Sequence, residues 1–274
     1  MFGERLEAVR ESAPLVHCIT NYVTVHDVAN VLIACGGAPV MSDEPLDVED
    51  ITQISAALDV NIGTLNTNSI HAMALATRRA QDLGHPIVLD PVGAGASAFR
   101  TSTAAQLLDQ RRIAVVRGNM SEVKALAGAG SVTRGVDVAA GDVVTYANLD
   151  EMSQFTRDFS RACGAIVAVS GAIDLVSDAQ NTYVIQNGHK LMAQITGSGC
   201  MLTAVTAAYV AANPAQQLEA VAAAFAMFGL AGKLAAERAL EEGAGNATFS
   251  NYLIDEVYKM DAATLDKGAI YERL

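Results

Sequence analysis

The feature that most constrains the fold is a repeated alternation of short, continuously apolar runs with helix-patterned stretches. The runs APVM (38–41), LDVNIGT (58–64), PIVLDPV (86–92), IAVVRGN (113–119) and AIVAVSG (165–171) are separated by stretches of helical character at about 24–34, 47–57, 67–83, 101–110 and from Ser121 onward. Strands without polar alternation are covered on both faces, which is the demand of a parallel sheet flanked by helices. The opening MFGERLEAVRESAPL reads as an amphipathic helix, followed by a short apolar run, a break at Thr20-Asn21, and a helix that Gly36-Gly37 ends. Around 131–150 both signals weaken to a loop and one ill-defined element. After 165–171 the rhythm changes: LVSD and TYVIQNG are short strands joined by turn residues, an antiparallel ribbon at the sheet edge. From Gly199 the chain reads as nearly all helix. The expectation is a three-layer α/β/α fold: a largely parallel central sheet with an antiparallel edge, and helices on both faces. With no internal repeat and no linker-like segment, residues 1–274 form one expected domain.

Composition narrows the partners. The chain is 51% hydrophobic, enough for a large core and a buried subunit interface. A net charge of −12 opposes binding to nucleic acid or to an anionic membrane, although local donors and a cation still permit an anionic ligand such as ATP. Cys18, Cys35, Cys163 and Cys200 form no CxxC pair and no zinc-spaced cluster, and the N-terminus lacks a signal-peptide core, so a reducing cytoplasm is expected. Two Ala-rich stretches, 200–212 and 220–232, are shorter than the roughly 20 residues a membrane span needs. They are broken at Asn213-Pro214 and read as closely packed core helices.

Four segments carry chemistry. In ITGSGCMLTAV (195–205), glycines precede an apolar helix, so the N–H groups of Gly197, Ser198, Gly199 and Cys200 are expected to form an anion hole. The same setting lowers a thiol pKa, making Cys200 a candidate base in partly thiolate form. An ordinary glycine loop with a buried cysteine fits this motif equally well. In VLDPVGAGASAFR (88–100), Asp90 ends a strand where α/β proteins bind ligands, a magnesium or phosphate-side position, with a turn or N-cap role as the alternative. In VVRGNMSEVKAL (115–126), Arg117 is placed to clamp phosphate and Glu122 to hold a cation, while Asn119 or Ser121 caps the next helix. In AVSGAIDLVSD (168–178), Ser170 and Gly171 are placed to approach a nucleotide. Neither GxxxxGK[ST] nor GxGxxG occurs in its required setting, which argues against the commonest nucleotide folds.

Together with HCITNYVTVHDVAN (17–30) and GGAPVMSDEP (36–45), the segments LDPVGAGAS (89–97), RGNMSE (117–122) and TGSGCMLTA (196–204) resemble the ribokinase-like superfamily, and within it the hydroxyethylthiazole kinases of thiamin salvage. The resemblance implies ATP- and Mg2+-dependent phosphorylation of the hydroxyl of 4-methyl-5-(2-hydroxyethyl)thiazole by a homotrimer with active sites between subunits. It implies that Met41 and Gly197 contact the substrate, with Asn21 near the ring, that Arg117 and Ser170 contact ATP, and that Asp90 and Glu122 serve the metal. Where the wider superfamily carries an Asp as base, thiazole kinases have the cysteine found here at Cys200. Rival readings are a kinase for another small heterocyclic alcohol such as hydroxymethylpyrimidine, a cysteine hydrolase, which lacks a histidine signature, and a non-catalytic nucleotide-binding protein.

Overall fold

The computed structural model describes residues 1–129 and 143–274. Among these, the strands β1 (Leu15–Ile19), β2 (Ala38–Met41), β3 (Ala57–Asn61), β4 (Ile87–Asp90), β5 (Val115–Asn119), β6 (Ile166–Ser170), β7 (Asp174–Ser177), β8 (Thr182–Ile185) and β9 (Tyr271–Arg273) form one sheet in the order β2-β1-β3-β4-β5-β6-β7-β8-β9. Pairing is parallel from β2 through β6 and antiparallel from β6 to β9. The expected parallel sheet and antiparallel edge are therefore present. β3 and β4 are buried at every position, which explains why their sequences show no polar alternation.

Helices cover both faces, each over its own apolar cluster. One layer holds α1 (Phe2–Ser12), α2 (Val25–Cys35), α8 (Ser198–Ala212), α9 (Gln217–Glu241), α10 (Asn246–Lys259) and α11 (Ala262–Gly268). The other holds α3 (Val48–Ile54), α4 (Thr67–Leu83), α5 (Ala98–Gln110), α6 (Met120–Ala129) and α7 (Leu149–Cys163). α8 and α9 are buried nearly all round, which their Ala-rich sequences permit. α9 runs for 25 residues, longer than its apolar stretch indicated, and is long and apolar enough to cross a membrane. However, 78% of its apolar window is buried inside the protein, as for a core helix.

Several boundaries differ from the sequence reading for local reasons. α5 begins at Ala98 because the Ser97 hydroxyl accepts the Arg100 N–H. β3 ends at Asn61, where the Asn61 side chain accepts the Gly63 N–H and turns the chain out of the strand. The cap of α6 is Asn119: its side chain accepts the Glu122 N–H at 2.9 Å while Glu122 Oε2 accepts the Asn119 N–H at 2.9 Å. The weak region around 131–150 lies largely outside the described residues, but its end opens α7, which buries Met152, Phe155 and Phe159 on one face. β9 also departs from the all-helical expectation. It is exposed at all three positions and is held by pairing with β8 and by packing of Tyr271 against Phe2.

Candidate active site

In the order β2-β1-β3-β4, the chain steps outward from β1 to β2 and then returns to the far side of β1. Open α/β sheets bind ligands at such a reversal, beyond the carboxyl ends of the strands. Side chains from those ends meet here. Asn21, just past β1, donates through Nδ2 to Asn61 Oδ1 (3.1 Å) and to Cys200 Sγ (3.1 Å). Asn61, the last residue of β3, donates to Asp90 Oδ2 (3.0 Å) at the end of β4, and Thr203 Oγ1 donates to the same oxygen (2.7 Å). Arg117 of β5 lies 3.6 Å from Asp90 and donates to Ser170 Oγ of β6 at 2.6 Å. One connected network thus links five strand ends to the first turns of α8.

Burial governs its charges. Asp90 is fully buried, and loss of water pushes its carboxyl up to about 6, opposed by Arg117 and Thr203. Its Oδ1 is buried with no hydrogen-bond partner in the protein. Glu122 Oε1 accepts the Gly93 N–H at 2.8 Å and Oε2 the Asn119 N–H, so this carboxylate ties the 93–97 turn to α6. Burial, and next the Asp90 charge, raise the Cys200 thiol above its ordinary range. The expectation of a partly ionised thiolate is thereby corrected: desolvation outweighs the helix terminus.

Gly197 sits at φ +83° as the N-cap of α8, and no side chain caps the N–H groups of Ser198, Gly199 and Cys200 that follow it. Gly199 has a role the motif did not announce. A Cβ there would fall 2.6 Å from an Arg117 guanidinium nitrogen, so glycine is what lets that cation lie across the helix start.

Two cavities adjoin this network. The smaller, about 150 Å³, is lined by Met41, Met73, Cys18, Tyr22, Val25 and Asn61 among others. The larger, about 650 Å³, is lined by Arg117, Ser170, Gly171, Asp174, Ser198 and Gly199, by the turn 186–194, and by Phe225, Phe228 and Gly229 of the helical layer. The sequence-predicted residues divide accordingly: Met41 faces the smaller cavity, Arg117 and Ser170 the larger. Asn21 and Cys200 stand in the network that joins them. Gly197 and Cys200 line neither cavity directly.

Residues the sequence reading missed are Asn61 and Thr203, which hold Asp90, and Asp174, which accepts the Gly171 N–H at 2.8 Å and whose burial raises its pKa to about 7. Asn61 had a signal, since it ends an apolar strand just as Asp90 does. Among the described residues no group of three or more His, Cys, Asp or Glu is placed to hold a metal by itself.

The sheet order and its antiparallel continuation, with a cavity at an uncapped helix start, are those of a ribokinase-like fold. A ribokinase-like superfamily protein from Enterococcus faecalis has this fold at 12% identity, with a TM-score of 0.64 over 94% of this chain and 95% of that one. Residues 6–263 match the model of the Hydroxyethylthiazole kinase family. A hydroxyethylthiazole kinase from Clostridium acetobutylicum is 48% identical over 272 residues, 99% of each chain. The structure of a hydroxyethylthiazole kinase protein from Pyrococcus horikoshii superposes with a TM-score of 0.87 at 37% identity, covering 100% of this chain and 98% of that one. The chain belongs to the hydroxyethylthiazole kinase family and is a kinase.

Proposed function

We propose that the chain transfers the γ-phosphate of ATP to the hydroxyl of 4-methyl-5-(2-hydroxyethyl)thiazole, within thiamin biosynthesis and salvage. The observation that carries this reading is that two unequal cavities adjoin one hydrogen-bonded network, the smaller through Asn61 and the larger through Arg117, Ser170 and the first turn of α8. The smaller suits one substituted ring and presents the thioether of Met41; the larger has the size and the cation for a nucleotide. The ring occupies the Met41 side with Asn21 at its edge, the hydroxyl lies over Gly197, and the phosphates meet Arg117, Ser170 and the N–H groups of residues 198–200.

Magnesium fits one part of this arrangement well. The unpartnered Oδ1 of Asp90 is a buried acceptor suited to a cation or its water, whereas both oxygens of Glu122 already accept backbone N–H groups and would reach it through water. When bound, the ion neutralises phosphate charge. Cys200 is placed to take the alcohol proton, but a thiol raised by burial is a weak base, so positioning and charge stabilisation carry most of the rate. Cys200→Ala is therefore expected to lower kcat only about tenfold, below the usual range for loss of a general base.

We further assign a single cytoplasmic domain, residues 1–274, working as a homotrimer with sites between subunits. Tyr22 (77% exposed), Leu46 (93%), Ile54 (65%) and Ile33 (60%) leave apolar surface on the elements around the smaller cavity, which supports cover by a second copy. The test is ADP release with ATP and magnesium, with and without the thiazole alcohol. Release that depends on the alcohol is expected. Release stimulated instead by hydroxymethylpyrimidine would transfer the same site to the alternative substrate class.

A further inference from the structure

Thr24 occupies the N-cap of α2, where a threonine ordinarily turns its hydroxyl onto a free N–H of its own helix. It makes no such bond. It is only 3% exposed, and its Oγ1 is buried without a hydrogen-bond partner in the protein. A buried hydroxyl left unsatisfied is destabilising, and a capping role does not account for this one.

Its surroundings are the start of α8. A Cβ on Gly197 would approach Thr24 Cγ2 to 2.5 Å, so the two residues are in tight contact. The Thr24 hydroxyl is also among the groups around Cys200 that favour its ionised form, with Asn61 and Arg117, against burial and Asp90. On either side in sequence, Tyr22 and Val25 line the smaller cavity. The hydroxyl therefore stands beside Gly197 and Cys200, next in sequence to Val25 on the wall of that cavity.

The geometry points to Thr24 as a further substrate-binding residue, whose hydroxyl hydrogen-bonds the acceptor alcohol and holds its oxygen over the first turn of α8. This rests on the proposed function and adds to it the group that fixes the reacting atom. The bond is to the alcohol, so it distinguishes a hydroxyethyl from an ethyl side chain. The methyl of Thr24 serves only to pack on Gly197.

The test separates hydroxyl from methyl. Thr24→Val keeps the packing and removes the hydroxyl; Thr24→Ser does the reverse. Thr24→Val is expected to lose roughly thirtyfold in kcat/KM, while Thr24→Ser stays within about threefold of wild type. Calorimetric binding without nucleotide gives a readout independent of turnover. Thr24→Val should weaken binding of 4-methyl-5-(2-hydroxyethyl)thiazole about tenfold and leave the 5-ethyl analogue unchanged. Equal losses for both ligands, or a larger loss in Thr24→Ser than in Thr24→Val, would overturn the assignment while wild-type turnover kept the functional reading intact. A wild type that neither binds nor phosphorylates the alcohol would overturn both.

Discussion

The two cavities are built by different means. The smaller is walled by the ends of β1, β2 and β3 and by α4, all within the parallel part of the sheet. The larger is walled by the β6–β7 turn, the segment after β8 and the helices α8 and α9. Its segment 186–194 lies on α9 because two glycines admit it: a Cβ on Gly229 would meet the Asn187 backbone at 2.9 Å, and one on Gly232 would come closer to Met192 Sδ than any non-bonded contact allows. Asn187 is also pinned from outside, donating to Gly268 O (2.9 Å) and accepting the Ile270 N–H (2.8 Å). A ring site made of strand ends is set once the sheet forms. A nucleotide site made of turns needs separate clamps, and the connection from α11 to β9 supplies one.

If the halves are independent in binding but joined at Arg117, damage should sort by substrate. Arg117→Ala removes the cation shared by Asp90 and Ser170, and is expected to cut kcat/KM by about 10²–10³ whichever substrate is varied. Gly229→Ala pushes on backbone that cannot yield cheaply. It is expected to raise KM for ATP about tenfold and lower stability by about 1–3 kcal/mol, leaving KM for the alcohol within about twofold. Met41→Ala should show the opposite pattern in steady-state kinetics, with KM for the alcohol up about fivefold and that for ATP unchanged. Parallel changes in both KM values for either variant would break the division.

The same contrast recurs between two buried carboxyls of the sheet. Asp90 has Asn61, Thr203 and Arg117 around it; Asp59, two residues before Asn61 on β3, has no partner on either oxygen. Burial, and next the Asp90 charge, raise Asp59 well above the usual carboxylate range. The folded state then keeps a proton that the unfolded chain releases above about pH 4, so stability falls as pH rises from there toward the folded pKa. Asp59→Asn removes that dependence. Its melting temperature relative to wild type should increase by a few degrees between pH 5 and pH 8, the smallest of these effects. A gap that does not change with pH would show Asp59 to be partnered.

Much of this was legible in the sequence because the parallel strands announce themselves. Continuous apolar runs carrying Asp90, Arg117 and Ser170 at their ends located the functional edge of the sheet, and the GSGC turn located the helix start. What was not legible depends on long-range contact. β9 has three exposed residues and no apolar pattern, so only pairing with β8 makes it a strand. Gly199 reads as an anion-hole glycine, yet its constraint is a guanidinium from β5. The acidity of Cys200 was misjudged because a helix terminus is visible in sequence while the burial around a thiol, and Asp90 next to it, are not.

The fate of the γ-phosphate tests the assignment of the two cavities most directly. Phosphorus NMR of a reaction containing ATP, magnesium and equal amounts of 4-methyl-5-(2-hydroxyethyl)thiazole and hydroxymethylpyrimidine should show thiazole phosphate accumulating in step with ADP, with the pyrimidine unmodified. ADP without thiazole phosphate, or phosphate appearing first on the pyrimidine, would contradict the assignment of the smaller cavity to the thiazole ring.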